Sequence, residues 1–226
     1  MEKQVMIKAI IFDLDGVIVS TDECHYKAWR KMADEEGIYF DKIINDRLRG
    51  VSRAQSLEII LEKANKQYTE TQKQRMCNNK NNYYKEFVKD INQNDILPGI
   101  KQFIKELKIN SFAMAIGSSS KNAGLILKQV GLENCFDAVV DGNDIQNSKP
   151  APDVFIKACE KLGMLPKNCL VIEDASSGVE AAAAAGIRTI GVGNAFYDSA
   201  ATYKIKNLKG FSIEKMNSLL SGRNLY

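Results

Sequence analysis

Ile7-Lys8-Ala9-Ile10-Ile11-Phe12-Asp13-Leu14-Asp15-Gly16 is an apolar run that stops on two aspartates and a glycine. Its length and β-branched content are those of a buried strand, and in open α/β sheets ligands bind beyond the carboxyl ends of such strands. Side chains two apart on an extended chain point to the same face, so Asp13 and Asp15 are expected to converge on one small site. Two carboxylates that close repel, and one pKa rises unless a cation or a shared proton relieves them. Such a pair suits a metal-assisted nucleophile with an acid/base partner better than it suits a core. Asp and Gly are also ordinary turn residues, so this stretch alone reads equally as a strand and an acidic turn. The rest of the chain has to decide.

The chain has 226 residues, enough for one large domain or a domain with a smaller insert. No run of about 18 apolar residues occurs, so no membrane partner is expected. Met1-Glu2-Lys3-Gln4-Val5 leads into the strand without an apolar signal region. Cysteines at 24, 77, 135, 159 and 169 form no Cys-x-x-Cys pair, and His25 is the one histidine. That pattern argues against a zinc site and a disulfide framework and makes a reducing cytoplasm the expected compartment. The net charge of +3 is too small to point to nucleic acid. Residues 41–90 carry eleven Lys/Arg against seven Asp/Glu, an excess of four, which leaves the remainder at −1. Most of these charges read as a solvated helical surface; a mildly basic module beside an acidic one also suits a small phosphorylated substrate.

After the first strand, Thr21 and Asp22 read as a helix start, with Ala28, Trp29, Met32 and Ala33 on one apolar face that ends near Gly37. Helical patterns continue through Leu57–Leu61 and a polar segment of about 69–89, with no convincing strand. From Leu97-Pro98-Gly99 onward helices and strands alternate. The expected helices are about 99–108, 121–130, 152–162 and 177–185, and the expected strands are 112–116, 138–140, 169–172 and 189–192. Alternation of this kind means an α/β fold with a parallel sheet wrapped by helices, so the helical stretch is an insert after strand one. The expected division is 1–19 and 91–226 for the sheet domain and 20–90 for a helical cap.

The remaining strand ends carry polar clusters. Gly117-Ser118-Ser119-Ser120-Lys121-Asn122 opens a helix whose free N–H groups and dipole favour a phosphate, although serines there are also ordinary caps. Lys149 before Pro150 is either a loop residue or a point charge for phosphate. Glu173-Asp174 ends a further strand on the same sheet edge as Asp13. Three carboxylates without imidazole or thiolate favour Mg²⁺ over a transition metal. Gly191-Val192-Gly193 lacks the further glycine of a dinucleotide fingerprint, and no P-loop pattern occurs.

In order, Asp13-Leu14-Asp15-Gly16-Val17, the Ser118 loop, Lys149-Pro150 and Glu173-Asp174 resemble the four motifs of the haloacid dehalogenase superfamily of phosphoryl-transfer enzymes. Thr21-x-x-x-His25-x-x-x-Trp29, Arg49-Gly50-Val51-Ser52-Arg53-x-x-Ser56, Ser118-x-Ser120-Lys121-Asn122 and Val140-Asp141-Gly142 resemble its β-phosphoglucomutase family. The resemblance implies a Rossmannoid core, a helical cap after strand one, Mg²⁺, and a monomer acting on a small sugar phosphate. It implies that Asp13 is the nucleophile, that Asp15 is the general acid/base, and that the metal is held by Asp13, Glu173, Asp174 and the Asp15 backbone carbonyl, with Lys149 and Ser118 neutralising charge. Thr21 and His25 fall at the hinge; Arg53, Ser120 and Asn122 on the phosphate that is not transferred; Lys80 and Ser56 on the sugar; Arg49, Gly50 and Ser119 in the same binding motifs.

Residue types alone leave some of these positions open. His25 also fits a histidine packed between helices, and Lys80, in Asn78-Asn79-Lys80-Asn81-Asn82, a solvated lysine. Arg49 stands where the family pattern has Lys at least as often, and Ser20 where it has Asp. A sugar-phosphate phosphatase with the same core residues is the alternative activity, and a non-catalytic phosphosugar-binding protein the alternative class.

Overall fold

The computed structural model describes residues 6–49 and 51–222. Strands β1 (Ala9–Phe12), β2 (Ala113–Gly117), β3 (Ala138–Val140), β4 (Cys169–Glu173), β5 (Arg188–Gly191) and β6 (Tyr203–Lys204) form one sheet in the order β3-β2-β1-β4-β5-β6. Every pair is parallel. β1 is central, with Ile10 level with Met114 on one side and Leu170 on the other. Burial on both faces explains its unbroken apolar sequence.

Alternation along β1 separates two cores. Ile10 and Phe12 face a large cluster with Phe103, Leu107, Ile126 and Met216, while Ala9 and Ile11 face Val154, Phe155, Ala158 and Ala181. The first set comes from α5 (Ile100–Ile109), α6 (Ala123–Gln129) and α9 (Ile213–Leu220), and the second from α7 (Asp153–Leu162) and α8 (Ser176–Ala184).

Between β1 and β2 the chain makes α1 (Asp22–Glu35), α2 (Lys42–Asp46), α3 (Arg53–Leu61) and α4 (Glu70–Val88). These helices carry a separate apolar cluster around Trp29, Met32, Phe40, Leu57, Ile60 and Met76. α3 and α4 both begin with reciprocal capping boxes, Ser52 with Gln55 and Thr69 with Gln72, which fix where each helix starts. The two connections to the sheet run antiparallel to each other: Leu97 N donates to Ile18 O at 2.9 Å, and Val19 bridges Ile96.

The expected alternation matches β1 to β5 and their helices within about two residues. The short helix α2, β6 and α9 lie outside those expectations. The extended path through Asp13 and Asp15 is corrected: β1 ends at Phe12, and Ile18 N and Val19 N both donate to Leu14 O in a tight turn. Gly16 sits in that turn at φ +83°, where a Cβ would lie 2.1 Å from Asp174 Oδ2.

Candidate active site at the carboxyl edge of the sheet

The strand order reverses between β1 and β4, and the crevice beyond the carboxyl ends of strands at such a reversal is where ligands bind in open α/β sheets. Asp13 follows β1, Glu173 and Asp174 close β4, and Ser118 follows β2. Asp13, Glu173 and Asp174 offer carboxylate oxygens all within 4.8 Å of one another. Lys149, 2% exposed, donates to Asp13 Oδ1 at 2.5 Å and Glu173 Oε2 at 2.8 Å. The other Glu173 oxygen accepts from the N–H groups of Asp174 and Ala175, both at 3.1 Å. Gly178 permits this placement, since a Cβ there would meet the Glu173 carboxylate at 2.1 Å.

Burial, then the charge of Asp13, pushes Glu173 up, and burial with the charge of Glu173 pushes Asp174 up further. Lys149 is raised although burial opposes its charge, because Asp13 and Glu173 flank it. Three carboxylates crowd one ammonium in a buried oxygen cluster, and the raised pKa values of two of them show that their charge lacks compensation. That donor set fits a hard divalent cation.

Asp15 is not among the three clustered carboxylates. Its Oδ1 accepts from the hydroxyl of buried Thr21, the N-cap residue of α1, whose side chain makes no capping bond. Burial and the neighbouring Asp13 charge push the Asp15 carboxyl up to about 7. An acid poised near neutrality suits proton exchange in both directions.

The helical unit brings a second set of groups. α1 and α4 pack together, and Lys80 Nζ lies 2.9 Å from His25 Nδ1 and within 4.9 and 4.8 Å of the Trp29 and Tyr84 ring centroids. Lys80 is 3% exposed, not solvated; burial, then the Arg53 charge, pushes it down to about 7. Burial and the Lys80 charge hold His25 well below its ordinary value. His25 therefore both packs between helices, against Tyr84 at 4.2 Å, and touches Lys80. Arg53, the first residue of α3, donates to Asn81 Oδ1 at 2.8 Å, and the same oxygen accepts from Asn122 Nδ2 at 3.0 Å.

Around Asn122 the hydroxyl-rich loop is folded on itself. Ser118 Oγ accepts from Ser120 N at 3.1 Å, Ser120 Oγ from Asn122 N at 3.2 Å, and Ser119 Oγ is buried with no hydrogen-bond partner. Ser56 is buried on α3. Arg49 is held by Asp22 at 2.5 Å and Asp46 at 3.6 Å, so its charge is already paired. Gly50 lies outside the described residues. Three contributors were missed in the sequence: Asn81 is one of four asparagines flanking Lys80, Asp22 looks like an ordinary first-turn acid, and Tyr84 looks like core. Helical spacing from Lys80 was the available signal for Tyr84, at i+4.

The haloacid dehalogenase-like hydrolase family model matches residues 10–192. The β-phosphoglucomutase of Bacillus subtilis is 40% identical over 189 residues, 83% of this chain and 84% of that one. A phosphorylated carbohydrates phosphatase of Thermotoga maritima is 31% identical over 187 residues, 81% and 84% of the two chains. The crystal structure of a β-phosphoglucomutase from Clostridium difficile superposes with a TM-score of 0.90 at 40% identity, covering 96% of this chain and 98% of that one. With its motifs at the strand ends and its helical insert after β1, this chain belongs to the haloacid dehalogenase-like hydrolase family.

Proposed function

We propose that this chain is a β-phosphoglucomutase that interconverts β-D-glucose 1-phosphate and D-glucose 6-phosphate, with residues 20–90 acting as a cap over the core. We further place it in the cytoplasm as a monomer. The observation that carries the reading is the presence of two unlike sites: a buried carboxylate–lysine cluster on the sheet, and a guanidinium, Arg53, on α3 that shares the Asn81 acceptor with Asn122. A phosphatase needs the first; a mutase also needs somewhere to hold the second phosphate. Similarity to the Bacillus and Clostridium enzymes supports the same choice.

In this reading phosphorylated Asp13 donates its phosphoryl group to a sugar hydroxyl: a sugar O–P bond forms, the Asp13 O–P bond breaks, and Asp15 takes the hydroxyl proton. The bisphosphate turns over, Asp13 attacks the other phosphorus, and Asp15 returns the proton to the departing sugar oxygen. Lys149 and Ser118 hold the transferring group, and Arg53, Ser120 and Asn122 hold the other phosphate. Lys80 and Ser56 line the sugar side, Arg49, Gly50 and Ser119 complete the proposed substrate-binding set, and Thr21 and His25 couple cap position to Asp15. Asp13, Glu173, Asp174 and the Asp15 carbonyl would hold Mg²⁺, which would supply charge neutralisation for phosphoryl transfer. Cap closure excludes the water that would hydrolyse the acyl phosphate.

The Thermotoga phosphatase supports a second reading, hydrolysis of a sugar phosphate by the same core. Phosphorus NMR with Mg²⁺, β-glucose 1-phosphate and a trace of the 1,6-bisphosphate separates the two. A mutase converts the 1-phosphate resonance to the 6-phosphate resonance and needs the bisphosphate for full rate. Inorganic phosphate as the main product, independent of bisphosphate, would refute the mutase assignment.

A further inference from the structure

Arg53 belongs to the helical unit and Asn122 to the sheet unit, and a single atom, Asn81 Oδ1, joins them at 2.8 and 3.0 Å. We propose that Asn81 is a positioning residue: an uncharged latch that locks Arg53 and Asn122 into one anion-binding arrangement across the two units. This rests on the reading of Arg53 and Asn122 as holders of the phosphate that is not transferred.

The chemistry of the three side chains fixes how the latch is wired. A guanidinium has donors and no acceptor, so the Asn81 atom facing Arg53 must be its oxygen. The Asn122 atom facing that oxygen must then be its amide nitrogen. Arg53 commits one of five N–H donors and Asn122 one of two. The remaining donors of both residues are left for phosphate oxygens, and their directions are set by the shared acceptor.

Two further observations show that this contact has displaced more ordinary ones. Asn122 is the N-cap residue of α6, a position at which asparagine ordinarily bonds the helix's own first-turn amides, yet its side chain makes no such bond. It is 7% exposed and donates instead to the helical unit. Arg53, in turn, has no carboxylate within ion-pair distance among the described residues, whereas Arg30, Arg47, Arg49 and Arg75 each have at least one. An aspartate at 81 would make the same two hydrogen bonds and cancel the Arg53 charge. Asparagine supplies the acceptor without the anion, so the site stays positive. Asn81 is carried one residue from Lys80 on α4, and Cys77, one turn earlier, places its Sγ 3.9 Å from Arg53 O. Any movement of α4 therefore moves the latch and the buried lysine together.

The test compares Asn81→Ala, Asn81→Asp and Arg53→Ala with wild type. It measures KM and kcat for β-glucose 1-phosphate isomerisation, and the ratio of sugar-phosphate to acetyl-phosphate kcat/KM, at equal folded fraction by circular dichroism. Asn81→Ala is expected to raise sugar-phosphate KM about tenfold, with kcat changing less, and to lower the ratio accordingly. Asn81→Asp is expected to raise KM at least as much although it keeps both hydrogen bonds, because it neutralises Arg53. A merely structural asparagine would tolerate its near-isostere. Wild-type KM in Asn81→Asp, or a KM within twofold of wild type in Asn81→Ala while Arg53→Ala raises it, overturns the latch. Unchanged KM in Arg53→Ala identifies the other failure, that of the phosphate reading itself, and the latch falls with it.

Discussion

Lys80→Met should make the protein more stable at neutral pH while it impairs sugar-phosphate turnover. Lys80 is 3% exposed, with no carboxylate in ion-pair range among the described residues; its one hydrogen-bond partner is His25 Nδ1 at 2.9 Å. The groups facing it are His25 and Trp29 on α1, Arg53 on α3, Tyr84 and Cys77 on α4, and Asp15 below. Its pKa falls from 10.5 to about 7 through burial and then the Arg53 charge. Carrying this group at pH 7 against its unfolded value costs roughly 4 kcal/mol. Attraction of the ammonium to the two ring faces offsets about 2 kcal/mol, and the variant leaves His25 Nδ1 without its donor, a loss of about 1 kcal/mol. The expected gain is therefore about 1 kcal/mol, roughly 2–4 °C in Tm for a chain of this size. The pH dependence is sharper. Because the folded pKa is depressed, the unfolded state binds more protons between about 7 and 10.5, so wild-type stability from this group rises with pH across that window. The advantage of Lys80→Met should shrink by about 1–3 kcal/mol between pH 7 and pH 9.5 and can reverse sign. Thermal unfolding of both proteins under reducing conditions at the two pH values measures this. A variant that melts below wild type by the same margin at both values would show that the buried ammonium carries no penalty.

Asp13→Asn should abolish phosphoenzyme formation and lower turnover by several orders of magnitude with little change in Tm, read by phosphorus NMR and calorimetry; near-normal turnover refutes the covalent route. Asp15→Asn should slow transfer to the sugar by roughly 10²–10⁴-fold while phosphate binding survives, as single-turnover kinetics can resolve. Chelation with EDTA should abolish activity, and adding Mg²⁺ should restore it and raise Tm in proportion to the logarithm of its concentration, since the cation binds the folded carboxylate cluster. Gly178→Ala should weaken that Mg²⁺ dependence, because the added Cβ would collide with a Glu173 carboxylate already pinned by Lys149 and two backbone N–H groups; an unchanged Tm response to Mg²⁺ argues against the placement.

The sheet half of the site was legible because burial writes itself into sequence. β1 is buried at every position, so it reads as an unbroken apolar run whose end stands out. Asp13, Glu173 and Asp174 stand at such ends, Lys149 enters through the family motif, and the four side chains meet. The path between Asp13 and Asp15 was not legible, because strand periodicity stops at Phe12 and the following turn is held by Leu14 O. β6, two residues long, and α9 have too little pattern to announce themselves. In the helical unit the difficulty is different. α4 is polar on most of its length, so a buried lysine and a bridging asparagine look the same in sequence as their solvated neighbours Asn78 and Asn82. Only the fold shows which face of α4 meets α1 and the Asn122 loop.

That face also explains why the helical unit can answer to an anion. Several cations on its surface have a carboxylate in reach: Arg30 with Asp34, Arg47 with Glu62, Lys73 with Glu58, Arg75 with Glu36. Arg49, expected at the substrate, is paired as well, with Asp22. Arg53 and Lys80 differ: both are desolvated, both are pushed down in pKa by burial, and neither has a carboxylate partner among the described residues. In the proposed reading both are relieved by one event, the arrival of a phosphate beside Arg53 and a sugar beside Lys80. A ligand shifts a conformational equilibrium only by its differential affinity for the two states, and in that reading two desolvated cations without carboxylate partners supply the difference. Lys149 supplies less of it, because Asp13 and Glu173 already flank its ammonium. The expectation that follows is that discrimination between a sugar phosphate and a small acyl phosphate resides in the helices and the chemistry at the strand ends, which the ratio of sugar-phosphate to acetyl-phosphate kcat/KM in Arg53→Ala tests.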